Sequence, residues 1–222
     1  ILKKYGVSNA EVECINFEFN ATFAVSTESG QKYALRLNIN STRVVSNIQA
    51  ETQWVRDLAR IPSVNVPAPI AALDDTYVVS AVHTDSGQTI YAVMYSWLEG
   101  EEIGDEPTLD QLHTVGRAMA LLHENSSHFT LTDGAELPTF NDFFWGTEDY
   151  LFSSKSRLIP KDRQLIEQAR DLIMKYTDEL YSTSVMHIIH ADFHGWNLMW
   201  HEEQLFIFDF DDCGYGVEAQ DI

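Results

Sequence analysis

Three polar side chains in the last part of the sequence could together perform phosphoryl transfer. Asp192 and Asn197 lie in the polar segment 190–197, and Asp209 follows the apolar run 205–208. Short apolar runs flank the segment 190–197 and also precede Asp209. We therefore expect this segment and Asp209 to lie on two loops that follow short strands. One carboxylate can accept the proton of a hydroxyl, and an amide oxygen with a second carboxylate can hold a hard divalent cation. We therefore interpret Asp192 as the candidate base and Asn197 and Asp209 as candidate Mg²⁺ ligands.

A different chemistry is open for the same segment. His190, Asp192 and His194 alternate in sequence, so on a strand their side chains would face one way. Two imidazoles and a carboxylate can bind zinc or a pair of metal ions, which would indicate a metallohydrolase. That alternative leaves Asn197 and Asp209 without a role.

Phosphate chemistry also needs a cation, and the candidate is Arg36. Residues 32–37 alternate as a strand does, with Ala34 and Arg36 on one face. A small alanine could lie against a flat ring while the guanidinium meets a phosphate. The alternative is an ordinary solvent-exposed strand face.

Glu51 is the candidate partner of Arg36. The stretch 46–49 has the form of a capping box and predicts a helix from there to about residue 59. Glu51 falls on the apolar stripe of that helix, where a carboxylate needs a partner. The alternative is a glutamate at the edge of the stripe that reaches water.

The remaining pattern predicts a β-rich first part and a helical second part. A change of character at residue 96 gives two predicted units, an N-terminal lobe (1–95) and a C-terminal lobe (96–222). Strands are predicted at 12–19, 22–26, 76–83 and 89–97, and amphipathic helices at about 107–123 and 161–181. Aromatic residues crowd the stretch 140–152, among them Phe143, Phe144 and Trp145, and we expect them to pack or to line a substrate cleft.

Composition narrows the function further. The 222 residues carry a net charge of −20, which argues against nucleic acid and against an anionic membrane surface as partners. A cationic substrate would be attracted, but because the charge is spread along the chain, general solubility or a salt-adapted or acid-rich proteome is the stronger explanation. No apolar run approaches the roughly 20 residues of a membrane span.

Two distant cysteines, Cys14 and Cys213, fit a reducing cytoplasm. Nothing in the sequence indicates an oligomeric state, and both ends read like the interior of a longer protein.

Two motifs make the chain resemble a known family. His190-Ala-Asp-Phe-His-Gly-Trp-Asn197 is similar to the catalytic loop of the aminoglycoside phosphotransferase and choline kinase group, and Asp209-Phe-Asp-Asp-Cys-Gly-Tyr-Gly216 resembles its homoserine-kinase-like branch. Ile207-Phe-Asp-Phe-Asp-Asp212 stands where protein kinases have Asp-Phe-Gly. Weaker matches are Tyr33-Ala-Leu-Arg36, the helix with Glu51, and 94–100 as a hinge between lobes.

The resemblance implies an α+β, protein-kinase-like fold with a β-rich N-lobe and a mostly helical, incomplete C-lobe. It implies ATP or GTP in the cleft, with the base hydrogen-bonded to backbone near Ser96 and Leu98 and with Mg²⁺ as cofactor. The expected activity is transfer of the γ-phosphate to a hydroxyl of a small molecule, with an aminoglycoside or amino alcohol as candidate acceptors. A protein Ser/Thr kinase and a non-catalytic nucleotide-binding module are the alternatives.

The chain departs from the family pattern at three points. Arg36 stands where many relatives have lysine, and a guanidinium fork is not a point charge. No Gly-x-Gly-x-x-Gly precedes it, so residues 16–22 would have to cover the phosphates without glycines. The sequence stops soon after Gly216, before the later helices that help to wall the substrate site in the family.

Overall fold

The computed structural model describes residues 1–132, 134–144 and 147–222. Trp145, part of the predicted aromatic cluster, lies outside the described residues. The strands are β1 (Ala10–Phe17), β2 (Asn20–Thr27), β3 (Lys32–Asn38), β4 (Val78–Val82), β5 (Thr89–Ser96), β6 (Glu101–Glu102), β7 (His187–Ile189), β8 (Leu198–His201), β9 (Gln204–Ile207) and β10 (Gly214–Gly216). The helices are α1 (Val45–Leu58), α2 (Leu109–Ser126) and α3 (Pro160–Thr183), with short 3₁₀ turns at Leu2–Tyr5, Gly195–Asn197 and Glu218–Asp221.

The first half of the chain forms one antiparallel sheet in the order β1-β2-β3-β5-β4. The predicted alternation of β3 is confirmed, because Leu35 packs into a core on one face and Ala34 against a second core on the other. The same alternation directs Arg36 to the face of Ala34. The pleat of one strand therefore sets which side chains can meet a ligand.

Helix α1 begins earlier than the capping-box pattern predicts, because its N-cap is Val44 and not Ser46. The backbone N–H of Val44 donates to Asn47 Oδ1 (3.2 Å), so Asn47 takes the place that the pattern gives to Gln49. Asn47 also donates to the carbonyl oxygen of Glu136 (2.8 Å), which ties this end of the helix to the second half of the chain. Helix α2 begins with a capping box, since Thr108 and Gln111 hydrogen-bond each other's backbone N–H groups.

The larger of the two cores joins the two halves of the chain. It contains Trp54 and Leu58 of α1, Leu122 of α2, and Ile188 and Phe210 from the segments around the predicted site. Burying large side chains such as these stabilises a fold by about 1.5–3 kcal/mol each. The loops that bear the candidate site residues are thus anchored by the same core that holds α1. An antiparallel sheet followed by helices and small two- and three-stranded sheets is the predicted α+β, kinase-like class.

Helix α3 is longer than predicted and unusually exposed. It spans 24 residues, and none of them is buried against the described parts of the chain. Its apolar stripe, which the sequence pattern shows clearly, is therefore accessible: Leu165, Leu172 and Tyr176 are all more than half exposed. Among the described residues, no helix is both long and apolar enough to cross a membrane.

Candidate active site

The loop after β7 is held in a strained conformation by one buried carboxylate. Ala191 has a φ of 65°, a left-handed conformation that costs a non-glycine residue about 1–2 kcal/mol. Asp221 accepts hydrogen bonds from the backbone N–H groups of Ala191 (2.7 Å) and His190 (3.2 Å), and it contacts His123 Nε2 (2.7 Å). These bonds hold the backbone immediately before Asp192.

His190 is a structural residue of this loop. It is fully buried; its Nε2 donates to the carbonyl oxygen of Phe208 (3.0 Å), and its Nδ1 accepts from the backbone N–H of Asp192 (3.3 Å). Burial lowers the pKa of His190 below its ordinary value, which favours the neutral ring that this pattern requires. Because both nitrogens are occupied, His190 is not free to bind a metal, and the zinc-cluster interpretation loses one of its three ligands.

Asp192 is held by two side chains of its own loop. Asn197 Nδ2 donates to Asp192 Oδ2 (2.7 Å) and to the Asp192 carbonyl oxygen (3.0 Å). His194 Nε2 lies 3.2 Å from Asp192 Oδ1, while its Nδ1 accepts from the backbone N–H of Trp196 (3.2 Å). A ring that accepts at Nδ1 carries its proton at Nε2, so His194 donates to the carboxylate. The kinase-like interpretation of the sequence assigns no role to His194. Its position two residues after Asp192 was the feature that could have indicated a contact between the two side chains.

Asp209 lies on the next loop, in a second left-handed conformation with a φ of 61°. Desolvation within the cleft raises the pKa of Asp209 well above its ordinary value although the residue is exposed to solvent, and the nearby carboxylate of Asp211 raises it further. Burial opposes ionisation of Asp211 as well, but Arg36 and hydrogen bonds from Asp209 and Asn20 lower its pKa. Without a cation, therefore, the pKa of Asp209 lies above that of its neighbour Asp211.

Arg36 and Glu51 meet as the sequence predicts, in a buried ion pair between β3 and α1. The hydroxyl of Tyr95 donates to the other oxygen of Glu51 (2.9 Å), a contact that the sequence did not reveal. Despite burial, which opposes the charge, Glu51 and Tyr95 help to raise the pKa of Arg36 further. Arg36 Nε is buried and has no hydrogen-bond partner in the described part of the chain. An unpartnered buried donor costs about 1–3 kcal/mol, so an anionic ligand here would relieve it.

Two cavities meet at Arg36 and Asp209. The first, of about 320 Å³, is mainly apolar, and Ala34, Ser96 and Leu98 line it. The N–H and the hydroxyl oxygen of Ser96 are both bonded to the backbone of Ala68, which fixes the strand end at this cavity. The second cavity, of about 420 Å³, is polar. Its lining includes Asn20, Arg36, Arg43, Asp192, Asp209, Asp211 and Asp212.

The residues around Asp209 fit a divalent cation that also binds phosphate. The carboxylates of Asp209 and Asp211 lie side by side in the polar cavity, where a bound cation would offset their mutual repulsion. Across the described residues, no group of three His, Cys, Asp or Glu side chains is arranged to hold a metal alone. A hard cation bound through one carboxylate and an amide takes its other ligands from water or phosphate, as Mg²⁺ usually does. The donors would be Asp209 and Asn197.

This geometry agrees with the result of comparison with known proteins. The family model of the phosphotransferase enzyme family matches residues 17–222. The chain belongs to this family. Amicoumacin kinase of Bacillus subtilis (strain 168) is 25% identical over 221 residues, covering 99% of this chain and 63% of the relative. The chain thus spans less than two thirds of that curated protein.

Solved structures share the fold. An amicoumacin kinase in complex with AMP-PNP and Ca²⁺ superposes with a TM-score of 0.78 at 23% identity, covering 99% of this chain and 65% of the other. A microcompartment-associated aminopropanol kinase superposes with a TM-score of 0.76 at 27% identity, covering 97% and 68%. The predicted protein-kinase-like fold and family are therefore confirmed.

Proposed function

We propose that the protein is a nucleotide-dependent O-phosphotransferase that moves the γ-phosphate of ATP or GTP to a hydroxyl of a small, amine-bearing molecule. The observation that carries this proposal is the polar cavity shared by Asp192, Asp209 and Arg36. It adjoins an apolar cavity large enough to begin enclosing a nucleotide base. The solved relative that carries AMP-PNP and Ca²⁺ supports a nucleotide and a divalent cation at this site.

Asp192 acts as the base in this proposal. As the acceptor oxygen attacks the γ-phosphorus, its proton passes to a carboxylate oxygen of Asp192 and the bond to the leaving ADP breaks. The hydrogen bonds from Asn197 and His194 fix the carboxylate in one orientation. Such positioning supplies much of the rate enhancement in phosphoryl transfer.

The nucleotide is held by side chains of both lobes, which we place at 1–95 and 96–222. Ala34 and the backbone near Ser96 and Leu98 receive the base, and Arg36 Nε donates to a phosphate oxygen while Glu51 holds the guanidinium. When bound, Mg²⁺ neutralises charge that develops on the phosphates, and Asn197 and Asp209 are its protein ligands.

The acceptor is a small alcohol with an amine. A net charge of −20 attracts cations, and the polar cavity is itself rich in carboxylates. Aminopropanol, named for one solved relative, has both functional groups. An ammonium group at the open end of the cavity would be attracted by Asp212, whose side chain is 60% exposed.

The test compares Asp192→Asn with Asp178→Asn, an exposed aspartate on α3. Each variant is given MgATP or MgGTP and a panel of aminoglycosides, choline, homoserine, 1-amino-2-propanol and amicoumacin. We expect Asp192→Asn to lose turnover by about 10²- to 10⁴-fold, as for a removed general base, and to keep its nucleotide affinity. Asp178→Asn should match the wild type.

Two results would contradict the proposal. Turnover in Asp192→Asn close to that of the wild type would remove Asp192 from the base role. Nucleotide-dependent thermal stabilisation of the wild type without turnover on any acceptor, small molecule or protein, would favour a non-catalytic nucleotide-binding module.

A further inference from the structure

A second arginine lines the polar cavity. Arg43 lies in the segment between β3 and α1, and its side chain is only 16% exposed. Its Nη2 donates to Asp212 Oδ1 at 3.2 Å, so it reaches from the sheet side of the cavity to the loop that follows Asp209. Its backbone N–H bonds to Ser41 Oγ (3.1 Å), which shapes the segment that carries it.

The partner of Arg43 is a weak one. Asp212 is 60% exposed, and an ion pair with one solvated partner contributes little to stability, because water screens it. By contrast, Arg36 is buried against Glu51 and cannot leave. Of the two arginines in the cavity, Arg43 is therefore the one that can change partners at low cost.

The charge balance of the cavity favours such a change once a nucleotide binds. Its described lining holds five carboxylates, including Asp192, Asp209 and Asp212, against the two arginines. A triphosphate brings further negative charge into this space, and Arg43, whose hydrogen-bonded partner is the exposed Asp212, is then drawn to the phosphate oxygens. The segment 16–22 has no glycine, so its backbone cannot approach the phosphates as closely as a glycine-rich loop does. Side-chain donors are therefore needed to hydrogen-bond the phosphate oxygens.

We propose that Arg43 is a catalytic residue that leaves Asp212 to bind the terminal phosphate of the nucleotide. This assignment rests on the proposed function. In the reaction, the bond from the γ-phosphorus to the leaving ADP breaks, the bond to the acceptor oxygen forms, and the acceptor's proton passes to Asp192. Arg43 stays protonated throughout and donates to the oxygens of the transferred group, where an arginine can be worth on the order of 10³-fold in turnover.

The experiment is a series of nucleotides that differ only in their phosphates. Calorimetric titration with Mg²⁺ and AMP, ADP or AMP-PNP measures what each phosphate adds to affinity. We expect Arg43→Ala to bind AMP and ADP within about twofold of the wild type but AMP-PNP about 10- to 100-fold more weakly, because one hydrogen-bonded charge contact is lost. Arg60→Ala, which removes a surface arginine with a 71% exposed side chain, is the control and should leave the series unchanged.

A conservative variant keeps the test independent of folding. Arg43→Lys retains the charge without the guanidinium fork, so its AMP-PNP affinity should lie between those of Arg43→Ala and the wild type. Melting temperatures of both variants are measured beside the titrations. If Arg43→Ala does not fold, the loss of AMP-PNP affinity in Arg43→Lys decides the question.

The outcomes separate this inference from the proposed function. Loss confined to AMP-PNP supports the assignment. Equal AMP-PNP affinity in the wild type and in the folded Arg43 variants overturns it and leaves the nucleotide site intact. Equal weakening of all three nucleotides also overturns it, because it shows a structural effect. Failure of the wild type to bind any of the three would overturn the proposed function and this assignment together.

Discussion

The buried pair Arg36–Glu51 supports the sharpest prediction about stability. Arg36 is 7% exposed and Glu51 is 3% exposed, and the hydroxyl of Tyr95 completes the group. Glu51→Gln keeps the shape of the side chain and its hydrogen-bonding oxygen, but it removes the carboxylate that is paired directly with the buried guanidinium and leaves only the more distant charge of Asp211. Breaking a buried pair costs about 3–5 kcal/mol, and the retained oxygen recovers roughly 1 kcal/mol of this. We therefore expect a loss of about 2–4 kcal/mol in the free energy of unfolding.

Urea denaturation of the protein without ligands measures this loss. Tyr95→Phe should lose about 1–2 kcal/mol, because one buried hydrogen bond is removed. The double variant should lose less than the sum, since Tyr95 and Arg36 share one carboxylate. Glu179→Gln, an exposed change on α3, should stay within about 0.5 kcal/mol of the wild type. A Glu51→Gln variant as stable as the wild type would refute the inference that this pair is desolvated and mutually dependent.

Two other predictions concern the loops of the site. Asp209→Asn should stabilise the metal-free protein in chelator at pH 8 by no more than about 1 kcal/mol, because the raised pKa of Asp209 means that its ionised form is disfavoured when folded, while solvent at this exposed residue screens most of the effect. That difference should shrink as the pH falls and Asp209 takes up its proton; equal denaturation curves at every pH would contradict it. Gly195→Ala should destabilise by at least about 1–3 kcal/mol in thermal melts, since its Cβ would lie 1.9 Å from the carbonyl oxygen of Gly104. Gly116→Ala on the open face of α2 should instead be neutral or stabilising by up to about 1 kcal/mol, and a larger loss there than at Gly195 would contradict the packing.

The sequence predicts contacts well where a local pattern carries them. Glu51 stood out because a carboxylate lay on an apolar helix stripe, and the ion pair with Arg36 follows from the need to neutralise it. The alternation of β3 was equally reliable, since a strand has a period of two. The N-cap of α1 was wrong by two residues, because Asn47 closes the first turn on the backbone of Val44 and a valine gives no sign of an N-cap.

Contacts between distant segments could not be predicted. Asn20 donates to Asp211 (2.6 Å) and Arg43 to Asp212 across separations of 191 and 169 residues, and no periodicity encodes such pairs. The left-handed backbone of Ala191 is also invisible in the sequence, because alanine gives no sign that a buried Asp221 will hold it there. Tertiary bonds override local preference at these positions, which are the ones nearest the proposed chemistry.

The most direct test of the proposed activity follows the phosphate itself. The protein is given Mg²⁺ and, in parallel reactions, ATP or GTP labelled at the γ-phosphate, together with the panel of small amino alcohols and aminoglycosides, and the products are separated by mass. The proposed function predicts the label on a hydroxyl of a small-molecule acceptor, in a yield that Asp192→Asn abolishes. Label recovered only on protein hydroxyls, or no consumption of ATP or GTP with any acceptor, would contradict it.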